Sequence, residues 1–235
     1  MALIKFGALI TDFSGKIGGT IFSKNRGGSY AKNRVVPNNP ASLRQSIVRG
    51  RFGSLSSQWR TLTQAQRDGF TAGTGNFPKT NRIGDTIQLA GNALFVALNS
   101  ALLAVGLDII TDVPTAAGVT EFLVTEFTAI SNNPNQVLSI TATPIDPVLV
   151  DDMLVQVFAT APVSPGISNL NSKFRQILVA TPAELAAGLL SSGSYRNVFG
   201  NPPVGTRVGI RLVPVNIVSG EQGVGTEATD ITGTA

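Results

Sequence analysis

The hydrophobic pattern changes its period near residue 118, and this change most constrains what the chain can fold into. Before that point, apolar residues recur at helical spacing, as in Val48, Phe52, Leu55 and Trp59. Beyond it they alternate with polar residues, which is the period of strands that bury one face. The sequence therefore predicts an α+β protein whose helical part precedes its β-rich part.

Local signals place two helices in the first part. Asn39 is the predicted N-cap of the first helix and Pro40 its first residue, with the helix ending near Trp59. A second helix is expected to begin at Thr63, where the threonine hydroxyl and the Gln66 side chain can form a capping box. Phe70 is the expected apolar contact of this second helix.

Residues 86–106 are apolar and, as a helix, long enough to cross a membrane. However, Gln88, Asn92 and Asn99 fall at helical spacings on one side, so the helix has a polar stripe. This pattern predicts a buried amphipathic helix and no membrane partner.

The alternating segments of the second part predict an antiparallel β-sandwich of immunoglobulin or fibronectin III type. The candidate core residues of its strands are Phe122, Leu138, Ile140, Val155, Val157, Ile177 and Ile210. A short helix is expected from Thr181 to Leu190, with Thr181 and Glu184 as a second capping box.

The predicted organisation has five parts. They are a basic glycine-rich arm (1–38), a helical domain (39–113), a linker (114–118), a β-sandwich domain (119–219) and a flexible tail (220–235). We expect residues 119–219 to fold alone, because their alternating segments can bury one another's apolar faces.

Charge is distributed very unevenly along the chain. Residues 1–83 carry 13 Lys and Arg against two Asp, a net charge of +11. Residues 84–235 carry five Lys and Arg against 12 Asp and Glu, a net charge of −7. Such asymmetry indicates that the basic part meets something acidic. Nucleic acid and another copy of this protein are the two alternatives.

The arm contains two short apolar and basic segments, Thr20–Lys24 and Ser29–Val35, around the glycine turn Gly27-Gly28. They predict a β-ribbon that gains order only by pairing with another sheet edge or a partner, since an isolated ribbon is marginal in water. The candidate partner-binding or nucleic-acid-binding residues are Lys16, Lys24, Arg26, Lys32, Arg34, Arg44, Arg49 and Arg51.

The chain has neither cysteine nor histidine, which removes thiolate nucleophiles, imidazole bases and most metal sites. Asp151-Asp152 is expected to be a surface turn, because no motif supplies the further ligands that Ca²⁺ needs. Residues 14–20 lack the spacing of a phosphate loop, so their glycines are interpreted as turn formers. We expect no enzyme activity, cofactor, metal or small-molecule substrate.

The N-terminus lacks an apolar run of signal-peptide length, so no secretion is expected.

Residues 3–104 resemble an uncharacterised protein family encoded by tailed bacteriophages and prophages. The segments that carry the resemblance are 5–28, 36–40, 59–67, 91–95 and 98–100. The resemblance implies a virion-associated structural protein of the capsid, a vertex or the tail, and it assigns no site. It suits a basic arm that assembles with copies of the protein and other virion proteins. The alternative is a nucleic-acid-binding protein that packages or organises phage DNA.

Overall fold

The computed structural model describes residues 2–7, 12–35, 39, 41–81, 83–131, 138–188 and 192–234. The chain forms two compact units. The first comprises Met1–Ala97 and Ile110–Thr115, and the second comprises Leu98–Ile109 and Ala116–Ala235. Both combine helical residues with antiparallel sheets, which confirms an α+β protein.

The first unit begins with a four-stranded antiparallel sheet. Its strands are β1 (Ala2–Ile4), β2 (Gly15–Ile17), β3 (Thr20–Asn25) and β4 (Gly28–Asn33), in the order β1-β4-β3-β2. The predicted ribbon is therefore confirmed as β3 and β4. At its turn the Gly27 amide donates to Asn25 Oδ1 at 2.9 Å, and Gly28 takes a φ of 108°, which favours glycine. Of the two expected sources of order, pairing with a sheet edge is the one observed, because β1 and β2 of the arm itself pair with the two edges of the ribbon.

Helices and a small hairpin complete the first unit. They are α1 (Leu43–Thr61), α2 (Gln64–Gly73), the hairpin strands β5 (Lys79–Thr80) and β6 (Thr86–Ile87), and the start of α3 (Gly91–Ala104). The predicted N-cap Asn39 is wrong: Ser42 has extended φ and ψ and accepts a hydrogen bond from the Gln45 amide. Ala41, at a φ of 48°, keeps the helix from starting earlier. Pro40 lies outside the described residues.

Three aromatic rings form the centre of the first unit. Trp59, Phe70 and Phe95 lie with ring centroids 5.3 to 6.1 Å apart, a spacing at which tilted and edge-on rings attract. The capping box of Thr63 and Gln66 is present, which confirms the predicted start of α2. Helix α2, which starts at this box, carries Phe70 into the aromatic cluster, where the ring is fully buried.

The second unit contains two sheets. Its strands are β7 (Phe122–Ser131), β8 (Leu138–Pro144), β9 (Met153–Thr160), β10 (Phe174–Ala180), β11 (Arg207–Asn216), β12 (Thr226–Ile231) and β13 (Gly233–Thr234). One sheet has the order β10-β9-β11-β12 and the other β13-β7-β8, with β13 parallel to β7. Residues 133–135, where the sequence Asn-Pro-Asn predicts a turn, lie outside the described residues.

The two sheets share one hydrophobic core. Six of the seven predicted core residues lie buried in it, namely Phe122, Leu138, Ile140, Val155, Val157 and Ile210. Ile177 is only partly buried, because the pairing of β10 with β9 shifts register between Gln176 and Leu178 and leaves Ile177 at the irregularity.

The C-terminal part of α3 belongs to the second unit. Gln176 Nε2 donates to the Ala104 carbonyl at 3.1 Å, and a Cβ on Gly220 would lie 2.6 Å from the Leu98 carbonyl oxygen. The predicted polar stripe is only partly right, since Asn92 is exposed but Asn99 is buried. Among the helices that the structure describes, none has the length and apolar character of a membrane span.

Two short helices close the core. They are α4 (Pro182–Ala186), which starts at the predicted capping box of Thr181 and Glu184, and α5 (Ser192–Phe199), which was not predicted. Leu190, the predicted end of the helix that starts at Thr181, lies outside the described residues. Tyr195 of α5 is buried and donates its hydroxyl to the Thr160 carbonyl at 3.1 Å, so α5 is fixed to β9.

The predicted linker and tail need correction. The amides of Ala117 and Gly118 donate to the Glu221 carboxylate at 3.0 and 3.1 Å, so part of the linker is bound within the second unit. The segment expected to be a flexible tail contains β12 and β13. Its polar residues form strands because pairing with β11 and β7 satisfies the backbone, and Asp230 accepts a bond from the Ala129 amide.

Candidate functional site

The structure places three predicted basic residues at one end of the N-terminal sheet. Lys16 on β2 and Lys32 on β4 lie on either side of Ile21 on β3. The side chains of Lys16, Ile21 and Lys32 therefore point to the same face of the sheet. Arg34 follows β4, where its amide donates to the Gly19 carbonyl at 2.7 Å. These three basic side chains are exposed, and within the described residues none forms an ion pair.

The other two basic residues of the arm are engaged within the unit. Lys24 Nζ lies 3.6 Å from an Asp12 carboxylate oxygen, and Arg26 donates to the Leu89 carbonyl at 3.4 Å. Arg26 also lines a polar cavity of about 440 Å³. The unengaged positive charge of the arm is therefore concentrated at the end that carries Lys16, Lys32 and Arg34.

The turn end of the sheet is held against the β5–β6 hairpin. Lys5 Nζ lies 2.6 Å from Asp85 Oδ1, and Asn81 donates to the Gly27 carbonyl at 3.2 Å. The hydrogen bond from Lys5, with a further one from Asn81, holds the pKa of the Asp85 carboxyl below its ordinary value. The sheet that carries the basic residues is therefore tied to the hairpin at its turn end.

Helix α1 presents a mixed apolar and basic surface, which we call the helix face: Leu43, Arg44, Ile47, Val48, Arg51 and Phe52. The sequence predicted Val48 and Phe52 as packing residues beside Leu55 and Trp59. Instead, Leu55 is fully buried, whereas Val48 and Phe52 are 64% and 62% exposed. The apolar stripe of α1 is thus covered only in its second half.

The predicted residues on α1 differ in their surroundings. Arg49 donates to Asn39 Oδ1 at 2.8 Å, which folds the preceding chain back on the helix. Arg44 is exposed and Arg51 half-buried, and neither makes an ion pair in the described part of the chain. Beside the helix face, α1 and α3 enclose a groove of about 450 Å³ lined by Phe52, Trp59, Val96 and neighbouring residues.

The second unit carries a surface of opposite charge that sequence reasoning missed, which we call the acidic patch: Glu121, Leu123, Ile145, Asp146 and Val148. Its apolar members are 57%, 66% and 82% exposed, in chain order. Glu121 lies opposite Ile145, whose amide donates to the Glu121 carbonyl at 2.9 Å. A sequence signal did exist, because residues 84–172 contain eight acids and no Lys or Arg.

Two turns lie where the sequence predicted them. Asp151 and Asp152 are exposed in the turn before β9, and Gly18 forms the turn between β2 and β3 at a φ of 56°. Over the described ranges, no group of three or more acidic, histidine or cysteine residues is placed to hold a metal ion.

Comparisons of this chain with protein-family models, with curated proteins and with solved structures found no match. Function is therefore inferred from the surfaces described above and from the resemblance of residues 3–104.

Proposed function

We propose that the chain is a non-enzymatic structural protein of a bacteriophage virion, in the capsid, a vertex or the tail, and that it is made in the host cytoplasm. It assembles with copies of itself and with other virion proteins through its basic N-terminal region. One observation carries the proposal: five cationic side chains of the N-terminal sheet and of α1 form no ion pair within the described residues. They are Lys16, Lys32, Arg34, Arg44 and Arg51. The resemblance to a phage-encoded family supports the virion setting.

The edge of the N-terminal sheet supports a protein partner. Strand β2 forms one of the two edges of the sheet, and its three residues are exposed. An edge strand can accept a strand from a neighbour, and a lysine such as Lys16 limits that pairing to suitably charged partners. Residues 84–235, with a net charge of −7, offer such a surface on another copy.

Charge neutralisation tests the proposal. Replacing Lys16 and Lys32 by glutamine should weaken self-association in sedimentation velocity, because two positive charges facing the partner are lost. The matched control replaces Lys79 and Lys173, which are exposed elsewhere, and removes the same charge. Equal association of the two variants and the wild type would contradict assembly through this surface.

Nucleic-acid binding is the second candidate function. It is favoured by the row of Lys16 and Lys32 with Tyr30 on the same face of the sheet, since cations can contact phosphates while an aromatic ring stacks on a base. The protein should then be retained on DNA at low salt, and its affinity should fall log-linearly as salt rises. Absence of retention at low salt would eliminate this candidate.

For the second unit, we propose a β-sandwich of immunoglobulin or fibronectin III type. Support comes from the core that its two sheets share and from the parallel pairing of its first and last strands. An experimental structure with the sheets packed at roughly −30° supports this assignment, and a crossing near 90° contradicts it.

A further inference from the structure

We infer that the helix face of one copy binds the acidic patch of a second copy. The inference rests on the proposed function to the extent that the chain assembles with itself. It adds the two surfaces that meet and the polarity of the contact. Neither surface was predicted as a binding site for the other from the sequence.

The composition of the helix face requires an acidic and apolar partner. At 3.6 residues per turn, Arg44 and Arg51 fall between the pair Leu43 and Ile47 on one side and Val48 on the other. Two arginines are therefore surrounded by exposed apolar side chains. A partner that covers these apolar groups also covers the guanidinium groups, and burying them without carboxylates would be costly.

The acidic patch has the complementary composition. Leu123 and Glu121 are two residues apart in extended chain, so their side chains lie on the same face. Asp146 accepts a hydrogen bond from the Val148 amide at 2.9 Å through one carboxylate oxygen and keeps a second oxygen for a partner. Exposed apolar groups flanked by carboxylates match exposed apolar groups flanked by guanidinium groups, which form paired hydrogen bonds with carboxylates.

Pairing like with like is unfavourable for both surfaces. Helix α1 contains four arginines and no acidic residue, so two helix faces would bring guanidinium groups together. Two acidic patches would likewise bring carboxylates together. Because each chain carries both complementary surfaces, the occupant of each is supplied by another copy.

This contact is heterologous, since two different surfaces meet. After two copies bind, one helix face and one acidic patch remain free, so further copies can add until a ring closes or a filament grows. A symmetric dimer would instead use both surfaces up at once.

Blocking one surface at a time tests the inference. The helix variant combines Val48→Glu with Phe52→Glu, and the patch variant combines Leu123→Lys with Ile145→Lys. All four positions are exposed, so the variants should fold, which circular dichroism melting checks. Each variant alone should associate at least about tenfold more weakly than the wild type in sedimentation velocity.

Mixing the two variants provides the decisive readout. The patch variant keeps an intact helix face and the helix variant an intact acidic patch, so an equimolar mixture should form one-to-one dimers that grow no further. A control with Val204→Lys and Val224→Lys, exposed elsewhere on the second unit, should assemble like the wild type.

The other outcomes contradict the inference in distinguishable ways. If the wild type assembles but the mixture stays monomeric, or if either variant assembles normally, this pair of surfaces is wrong and the proposed function stands. If the wild type stays monomeric at every concentration, both the contact and the proposed self-assembly are wrong.

Discussion

At the scale of single residues, helix starts are the features that transfer best from sequence to structure. Both predicted capping boxes, Thr63 with Gln66 and Thr181 with Glu184, are present. Each is decided within four residues, so distant parts of the chain have little influence on it. Asn39 failed as an N-cap because Ser42 also offers a capping oxygen and lies beyond the backbone interruption at Ala41.

Replacing Thr181 by alanine should lower the free energy of unfolding by about 1 kcal/mol at neutral pH, because the hydroxyl that caps α4 is lost. Hydrogen bonds from the Thr181 amide and then its hydroxyl hold the pKa of Glu184 below its ordinary value. The contribution of Glu184 to the free energy of unfolding is therefore present above its unfolded pKa and is lost as the pH falls through the lower folded value.

Thermal melts in neutral and in acidic buffer test this prediction. The difference in melting temperature between the wild type and the Thr181→Ala variant should be smaller in acid. A Thr181→Ser control should melt like the wild type, and an unchanged Thr181→Ala would show that the cap is dispensable.

At the scale of elements, periodicity predicted which residues share a face but not whether that face is covered. Val48, Phe52, Leu55 and Trp59 do follow one side of α1, yet only the last two pack inside the unit. Whether the apolar side of a helix is covered depends on where other helices and strands pack, and the sequence of the helix itself does not contain that information. The strand β12 was missed for a related reason, because backbone pairing with β11 needs no apolar alternation.

Two glycines should respond to alanine in opposite directions. In α1, a Cβ on Gly53 would meet no neighbouring atom, so Gly53→Ala should stabilise the protein by up to about 1 kcal/mol. At the start of α3, a Cβ on Gly91 would lie 2.4 Å from Thr71 Oγ1 and 2.9 Å from the Thr71 amide nitrogen. Gly91→Ala should therefore destabilise the protein by forcing α2 and α3 apart. Urea unfolding measures both, and a stabilising Gly91→Ala would contradict the packing of these helices.

At the scale of the whole molecule, the period change correctly separated a helical part from a β-rich part. It did not predict that the boundary is shared, because α3 contributes to both units and the amides of Ala117 and Gly118 are bound to Glu221. The charge asymmetry likewise identified the basic region but not the acidic patch. That patch depends on the pairing of β7 with β8, which brings Leu123 near Ile145.

The unit boundaries predict how fragments behave. A fragment of residues 98–235 should unfold cooperatively, because it keeps the part of α3 that packs on β10 and the strand β12. The fragment 119–219 lacks both, so it should be less stable and should bind a hydrophobic dye. Equal stability of the two fragments in urea would show that α3 and β12 are peripheral to the second unit.

The central claim is that the chain is a structural component that enters a virion through its basic N-terminal region. Its most direct test is the copy number per purified particle, by quantitative mass spectrometry, when the host supplies either the intact chain or a chain lacking residues 1–38. We predict many copies of the intact chain per particle and loss of the truncated chain from particles, although its second unit remains folded. Particles that lack the intact chain, or that carry the truncated chain at the same copy number, would contradict the claim.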